Sequence, residues 1–180
     1  MKFIDLAASR YSCRSYKDET VEREKLSLCV EAARMSPSAC NSQPWSFVVV
    51  DEPLAAQSVS QALQQKGMPF NKFTRNCPAY VVIIEEKAKL AAAFGGFLKN
   101  QHYAQMDIGI AAAHIALCAS DLGLGSCIIG WFNNSRLRKA LGIPPSKRVR
   151  LVVAIGYAKE NAFRAKVRKK AEECVHYNAW

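Results

Sequence analysis

The sequence predicts one layered α/β domain, a sheet covered by helices. Three observations carry that reading. Four short, β-branched apolar runs occur at residues 46–51, 80–84, 126–129 and 149–156. Segments with helical periodicity or alanine-rich composition separate them. No linker, composition break or internal repeat interrupts the chain, whose 180 residues, 50% hydrophobic and 22% charged, suit one core.

A short opening helix is expected over residues 3–8, stopping near Arg10. Residues 22–35 form an amphipathic helix, with Leu26, Cys29, Val30 and Ala33 on one face and charges opposite. Ser36-Pro37-Ser38 ends it, because proline cannot continue the hydrogen-bond ladder. SFVVVD at 46–51 is the first strand, and 54–66 is a helix ended by Gly67. YVVII at 80–84 is apolar throughout, the mark of a strand covered on both faces. A long helix at 103–122 finishes at Gly123, in a C-cap position. The third strand at 126–129, a short helix at 133–141 and the fourth strand at 149–156 follow. From Tyr157 the periodicity fades into a basic segment that closes on Val175, Tyr177 and Trp180, apolar residues suited to packing on another subunit.

Several function classes are excluded by what the chain lacks. The most apolar stretch, 108–125, carries His114 and Asp121 and reads as a buried helix, so no membrane span is expected. Residues 1–9 carry Asp5 and lack an apolar run, unlike a secretory signal. The seven cysteines form no CxxC pair and the three histidines follow no ligand spacing. Thiols in a reducing cytoplasm, and neither a zinc site nor a disulfide framework, are the expectation. The sequence has no GxSxG elbow, Walker A loop or HExxH.

Charge is uneven. The formal net charge is +10, and residues 136–180 hold 12 basic and 3 acidic side chains. A solvated basic face, nucleic acid, an anionic membrane surface and a phosphorylated small molecule all fit that imbalance. Between Arg136 and Arg168 only Tyr157 and Phe163 interleave the charge, too few aromatics for a nucleic-acid platform.

Three clusters could carry chemistry. RYSCRSY at 10–16 sets two arginines four residues apart around a serine, a group able to cradle a phosphate or to form a solvated polar turn. PSACNSQPW at 37–45 offers amides that can read a planar heterocycle, or a proline-anchored loop whose Trp45 fills the core. GLGSCIIGW at 123–131 is no dinucleotide fingerprint, since its glycines follow a helix and precede a strand. It reads as a helix cap and buried strand whose terminal Gly130 suits close approach to a ligand.

In this order and spacing, RYSCRSY, PSACNSQPWSFVVV and GLGSCIIGWF, followed by LGIP and VAIGYA, resemble the nitroreductase family of FMN-dependent oxidoreductases over residues 3–168. The resemblance implies a single domain over 1–180 with a central, mostly antiparallel sheet flanked by helices. It also implies a homodimer with FMN at the subunit interface and a C-terminal segment, about 158–180, packed on the partner. Arg10, Tyr11, Ser12 and Arg14 match the family's N-terminal flavin-binding stretch, Arg10 and Ser12 toward the phosphate and ribityl end and Arg14 toward the pyrimidine edge. Pro37, Ser38 and Asn41 match the loop laid against the flavin by the partner subunit. Asn71 matches an amide reading the pyrimidine portion. Ile129, Gly130 and Trp131 match the strand end whose backbone N–H approaches the hydride-accepting nitrogen, and Lys166 and Arg168 match a phosphate clamp.

The implied activity is ping-pong hydride transfer from NADH or NADPH through FMN to nitroaromatics, quinones or another small conjugated acceptor, with no catalytic side chain. A cytoplasmic enzyme with neither nucleic-acid nor membrane partners is expected. Alternatives are a specialised relative, such as a reductive dehalogenase or enone reductase, and a non-catalytic flavin carrier or sensor. Two departures stand out. Where some relatives place a basic residue, three positions after Asn71, this chain has Thr74, leaving Lys72 or Arg75 to compensate. The stretch between Ile84 and Tyr103, which larger members elaborate into a pocket roof, is short.

Overall fold

Strand β2 (Ala79–Glu85) lies at the centre of the fold and explains its own composition. Its side chains alternate between two separate cores. Tyr80, Val82 and Ile84 face one, with Val50, Val59, Leu63, Cys127, Val152 and Ala154. Ala79, Val81 and Ile83 face the other, with Leu26, Cys29, Ile108, Ala111, Ile115, Val153 and Ile155. Helices cover both faces, so the strand is apolar and buried from Ala79 to Ile84, as the YVVII run predicts.

The structure is a computed structural model describing residues 2–65, 67, 69–89, 101–160 and 165–180. Lys66, where the sequence reading ends a helix, lies outside the described residues. So do 90–100 in the stretch before Tyr103, and 161–164, Phe163 among them, in the basic segment. The elements run α1 (Phe3–Ser9), α2 (Arg23–Arg34), β1 (Trp45–Val50), α3 (Pro53–Leu63), β2, α4 (Tyr103–Asp121), β3 (Gly125–Ile129), α5 (Asn134–Ala140) and β4 (Arg148–Gly156). The sheet order is β1-β2-β4-β3 and every pairing is antiparallel, so it is the mostly antiparallel nitroreductase-like sheet that the resemblance implied. Helices α3 and α5 contribute to one face, α2 and α4 to the other.

Element ends follow local chemistry. Gly123 takes φ +75° after α4, while Gly123 N–H bonds Ser120 O and Leu124 N–H bonds Ala119 O. That pair of bonds is a Schellman cap, which a glycine accommodates without steric cost. Asn133 caps α5 by accepting from the Arg136 N–H. Helix α3 ends at Leu63, short of the expected 66, because Gln64 is extended and its amide turns back onto Ser60.

Two glycines mark where the N-terminal segment crosses the sheet. Ser12 pairs in parallel with Ser126 at the edge strand β3, and Tyr16 pairs with Ala158 beyond β4. A Cβ on Gly125 would lie 2.7 Å from Cys13 Sγ, and one on Gly156 would lie 2.7 Å from Pro78 Cδ. The segment beyond Gly156, where the sequence periodicity fades, therefore starts as an extended pairing to residues 15–17.

Candidate functional site

The segment carrying Arg10, Tyr11, Ser12 and Arg14 is fixed to β3 by backbone hydrogen bonding. Cys13 N–H donates to Ser126 O at 2.9 Å, and the buried Cys13 side chain fits against the bare Gly125. Arg10 follows directly on α1, its N–H bonded to Leu6 O. Tyr11 packs its ring against the core on the α3 side. Arg14 is exposed, with Nη1 3.5 Å from Ser12 O. Arg10, Ser12 and Arg14 all lie close enough to Cys127 on β3 to act on its thiol, although burial dominates and raises that thiol's pKa.

The C-terminal segment returns to the same place. Lys166 donates through Nζ to Ala7 O on α1. Its pKa is lowered, first by desolvation and then by the positive charges of Arg10 and Arg168. Arg10 thus converges with Lys166 and Arg168, which lie more than 150 positions later in the sequence. Among the described residues, none of the ion pairs uses any of the three. Such a cluster opposes folding when empty and favours a multiply charged anion.

A second group forms at the other end of β3. Asn71 adopts a left-handed conformation (φ 61°), and its Nδ2 donates to Leu63 O at 3.0 Å and to Trp131 O at 2.8 Å. The amide therefore ties its own turn to the segment after Gly130. Ile129 points its side chain into the α3-side core, while Gly130 is exposed and its missing Cβ would meet only Leu151 Cδ2, at 3.7 Å. Trp131 and Phe70 are each more than half exposed, with ring centroids 6.3 Å apart at 55°. From Ser126 to Gly130 the strand advances four residues, about 13 Å. The strand thus runs that length from the residue paired with Ser12 to the glycine before Trp131.

Thr74, the departure from the basic position, is fully buried. Its hydroxyl donates to Asn71 O at 2.7 Å and lies 3.0 Å from Ser60 Oγ, so this position braces the Asn71 turn. Arg75 is engaged by Gln64 Oε1 at 3.0 Å, whereas Lys72 is exposed.

Pro37, Ser38 and Asn41 stand apart. Among the described residues, no hydrogen bond joins them to the other two groups. Their turn is unusual: Cys40, Asn41 and Gln43 all have positive φ, near 50°. Ser38 Oγ accepts from Gln43 N–H, Asn41 Oδ1 accepts from Gln43 Nε2, and Ala39 N–H points at both carboxylate oxygens of Asp107 on α4, 3.2 Å from each. Trp45, next along the chain, is buried, so its ring fills the core. Sequence reasoning missed Asp107 and Phe70. The only hint of the first was a carboxylate inside an apolar helix, and of the second a phenylalanine beside Asn71.

A cavity of about 430 Å³ is lined among others by Asp18, Asp51, Gln57, Arg75 and Lys159, and none of the residues matched to the flavin site lines it. The cation and aromatic groups lie instead on an open face. Among the described residues no metal-ligand cluster occurs, and no helix is long and apolar enough to cross a membrane.

The nitroreductase family model matches residues 7–157. A Streptococcus pyogenes serotype M6 protein with a provisional NAD(P)H nitroreductase name is 30% identical over 190 residues, covering 89% of this chain and 92% of the relative. The solved structure of an FMN-dependent nitroreductase from Clostridium difficile R20291 is 31% identical, with TM-score 0.77, covering 99% of this chain and all of that one. An iodotyrosine deiodinase from Haliscomenobacter hydrossis is 25% identical over 186 residues, covering 92% of this chain and 83% of the relative.

Proposed function

Because the chain belongs to the nitroreductase family, we propose that it is a cytoplasmic, homodimeric, FMN-dependent oxidoreductase that takes hydride from NADH or NADPH and reduces nitroaromatic, quinone or other conjugated acceptors. The observation that carries this reading is the pairing of two unlike ends along β3. Three unpaired cations gather near its start, and an amide, a bare backbone and two exposed aromatic rings lie at its end. An elongated ligand with an anionic tail and a planar head fits that arrangement.

Bound FMN supplies the hydride-accepting and hydride-donating chemistry. The chain's own residues hold and orient it. Arg10, Lys166 and Arg168 bind the phosphate, with Ser12 donating from the segment welded to β3, and Tyr11 packing behind it. Arg14, exposed next to Cys127, supplies positive charge to a ring that gains negative charge on reduction. Asn71 sets the position of Trp131, and the open Gly130 leaves the Ile129-Gly130-Trp131 backbone accessible. Pro37, Ser38 and Asn41, remote from these groups within the protomer, serve the second copy's site. Exposed apolar residues on α1 (Phe3, Ile4), on α4 (Met106, Ile110) and near the C-terminus (Val175, Tyr177, Trp180) favour that second copy and the packing of residues 158–180 on it.

A purified wild-type protein that takes up FMN one per chain, is bleached by NADH or NADPH and turns over a quinone or nitro compound meets the proposal. A protein that stays colourless with excess FMN sinks it. Uptake without bleaching would instead make it a flavin carrier or sensor. Arg10→Ala and Lys166→Ala should each weaken FMN retention on dialysis about tenfold or more, the loss of one charge-assisted contact. The deiodinase relatives favour reductive dehalogenation as a second reading, and halogenated phenols as acceptors test it.

A further inference from the structure

We propose that Asp107 is a positioning residue for the flavin site: its buried carboxylate, reaching from α4, holds the turn at residues 37–43 in the shape that presents Ser38 and Asn41 to the partner's flavin. The inference rests on the functional reading above for its ligand, and on the structure of this chain for its tether.

Asp107 is 5% exposed, one turn into a helix whose other buried residues are Ile108, Ala111, Ala112, Ile115, Ala116 and Ala119. A carboxylate in that company is costly unless it is hydrogen-bonded. The hydrogen-bond donor it faces is the Ala39 N–H, shared between Oδ1 and Oδ2. Ala39 opens the one-turn helix Ala39–Asn41, so the donor is one that the turn cannot satisfy internally. Leaving a charged group there thus gains a specific contact in exchange for core apolarity.

The turn needs such a contact. Three non-glycine residues with positive φ within four positions (Cys40, Asn41 and Gln43) are each held against their own preference. The bonds from Gln43 to Ser38 and Asn41 are internal and exposed. Two other contacts tie the turn's C-terminal end to the segment after β2: Lys89 N–H to Ser42 Oγ, and Glu86 N–H to Pro44 O. Asp107 alone among these anchors the N-terminal end, where Ser38 stands, and it does so from the helix that also exposes Met106 and Ile110. Geometry on α4 is thereby passed to the turn.

The test is a double-mutant cycle on the flavin-loaded protein, read by hydrogen exchange of the segment 37–43, by FMN affinity and by the visible absorption envelope of the bound flavin. Asp107→Ala removes the acceptor. Ala39→Pro removes the donor at a first-turn position that tolerates proline, after an extended Ser38 (φ −146°, ψ 153°). Each single variant should speed exchange of the segment about tenfold to a hundredfold, the range for losing one hydrogen bond to a charged group, and should weaken FMN and shift its absorption envelope. The double variant should be no worse than either single. Asp107→Asn, whose Oδ1 still accepts, should recover most of both effects. The proposal is overturned if the two substitutions add independently, if exchange quickens equally across α4 and the sheet, or if a folded Asp107→Ala protein leaves the turn and the flavin envelope unchanged. Should Asp107→Ala not fold, Ala39→Pro alone decides by the same readouts. Should the wild type itself take up no FMN, the functional reading fails and the flavin half of this proposal with it, while the exchange cycle still decides the tether.

Discussion

Gly125→Ala isolates the contact that welds the N-terminal segment to the sheet. An added Cβ would lie 2.7 Å from Cys13 Sγ, 2.8 Å from Cys13 Cβ and 3.3 Å from Ala158 Cβ. The thiol could rotate, but Cys13 is fully buried, and its Cβ moves only if the backbone moves. Overpacking of that kind costs about 1–3 kcal/mol. Pushing the segment outward also lengthens the 2.9 Å bond from Cys13 N–H to Ser126 O, worth about 1 kcal/mol. A total near 3 kcal/mol lowers the melting temperature of a chain this size by about 6–12 °C. The same displacement carries Arg10, Ser12 and Arg14 away from β3, so FMN affinity should fall beyond what the lost stability alone explains. Thermal unfolding and FMN titration read the two effects. Cys13→Gly, which removes both obstructing atoms, should make the double variant less destabilised than the sum of the singles. A Gly125→Ala protein as stable as wild type, or strict additivity with Cys13→Gly, refutes the reasoning.

The acid limb of stability should depend on Glu22, whose carboxyl is held at about 2 by the Tyr157 hydroxyl first and by Lys25 second. A carboxyl with its pKa lowered on folding adds stability above its unfolded value, near 4.5, and loses it as pH falls toward 2. Urea unfolding of Glu22→Gln should therefore show a shallower slope across that window, with the gap from wild type widest at neutral pH; parallel curves would remove Glu22 from the account. Asn71 tests a conformational claim. Asn71→Gly keeps the left-handed backbone and loses the two amide bonds, whereas Asn71→Ala loses both, so the alanine variant should be less stable by about 1 kcal/mol. Equal denaturation midpoints would show that φ at this position carries no cost.

Period-two and period-3.6 patterning made most of the fold legible. The YVVII run announced a strand buried on both faces, and Gly123 announced the end of α4, because each rests on local chemistry. The antiparallel character of the sheet was not readable from periodicity, since alternating helices and strands suit parallel and antiparallel sheets alike; it came from the family resemblance, and the order β1-β2-β4-β3 came only with the structure. The site was legible where a motif is contiguous, as in RYSCR and IIGW. It was not legible where tertiary packing makes the contact. Nothing local to Lys166 reveals that it reaches Ala7, and nothing local to Asp107 reveals that it faces Ala39. Thr74 shows the converse: a position read as missing a charge proves to be a fully buried brace, where a cation would have no partner.

The uneven charge of the chain can be divided on the same grounds. Basic residues held by acidic ones, such as Lys147 with Glu86 and Arg150 with Glu85, lie at the strand ends and neutralise locally. The group of Arg10, Lys166 and Arg168 does the opposite, placing like charges together where desolvation already disfavours one of them. Such an arrangement lowers the stability of the empty chain, and folding alone gives no reason for it. Binding a dianion offsets that cost: it screens the mutual repulsion, raises the Lys166 pKa back toward its ordinary value and adds charge-assisted hydrogen bonds. The C-terminal segment that carries two of these cations has little else among its described residues to hold it against α1. With the cations holding the flavin phosphate as proposed, docking of this segment and occupancy of that site are coupled, each strengthening the other by the same free energy.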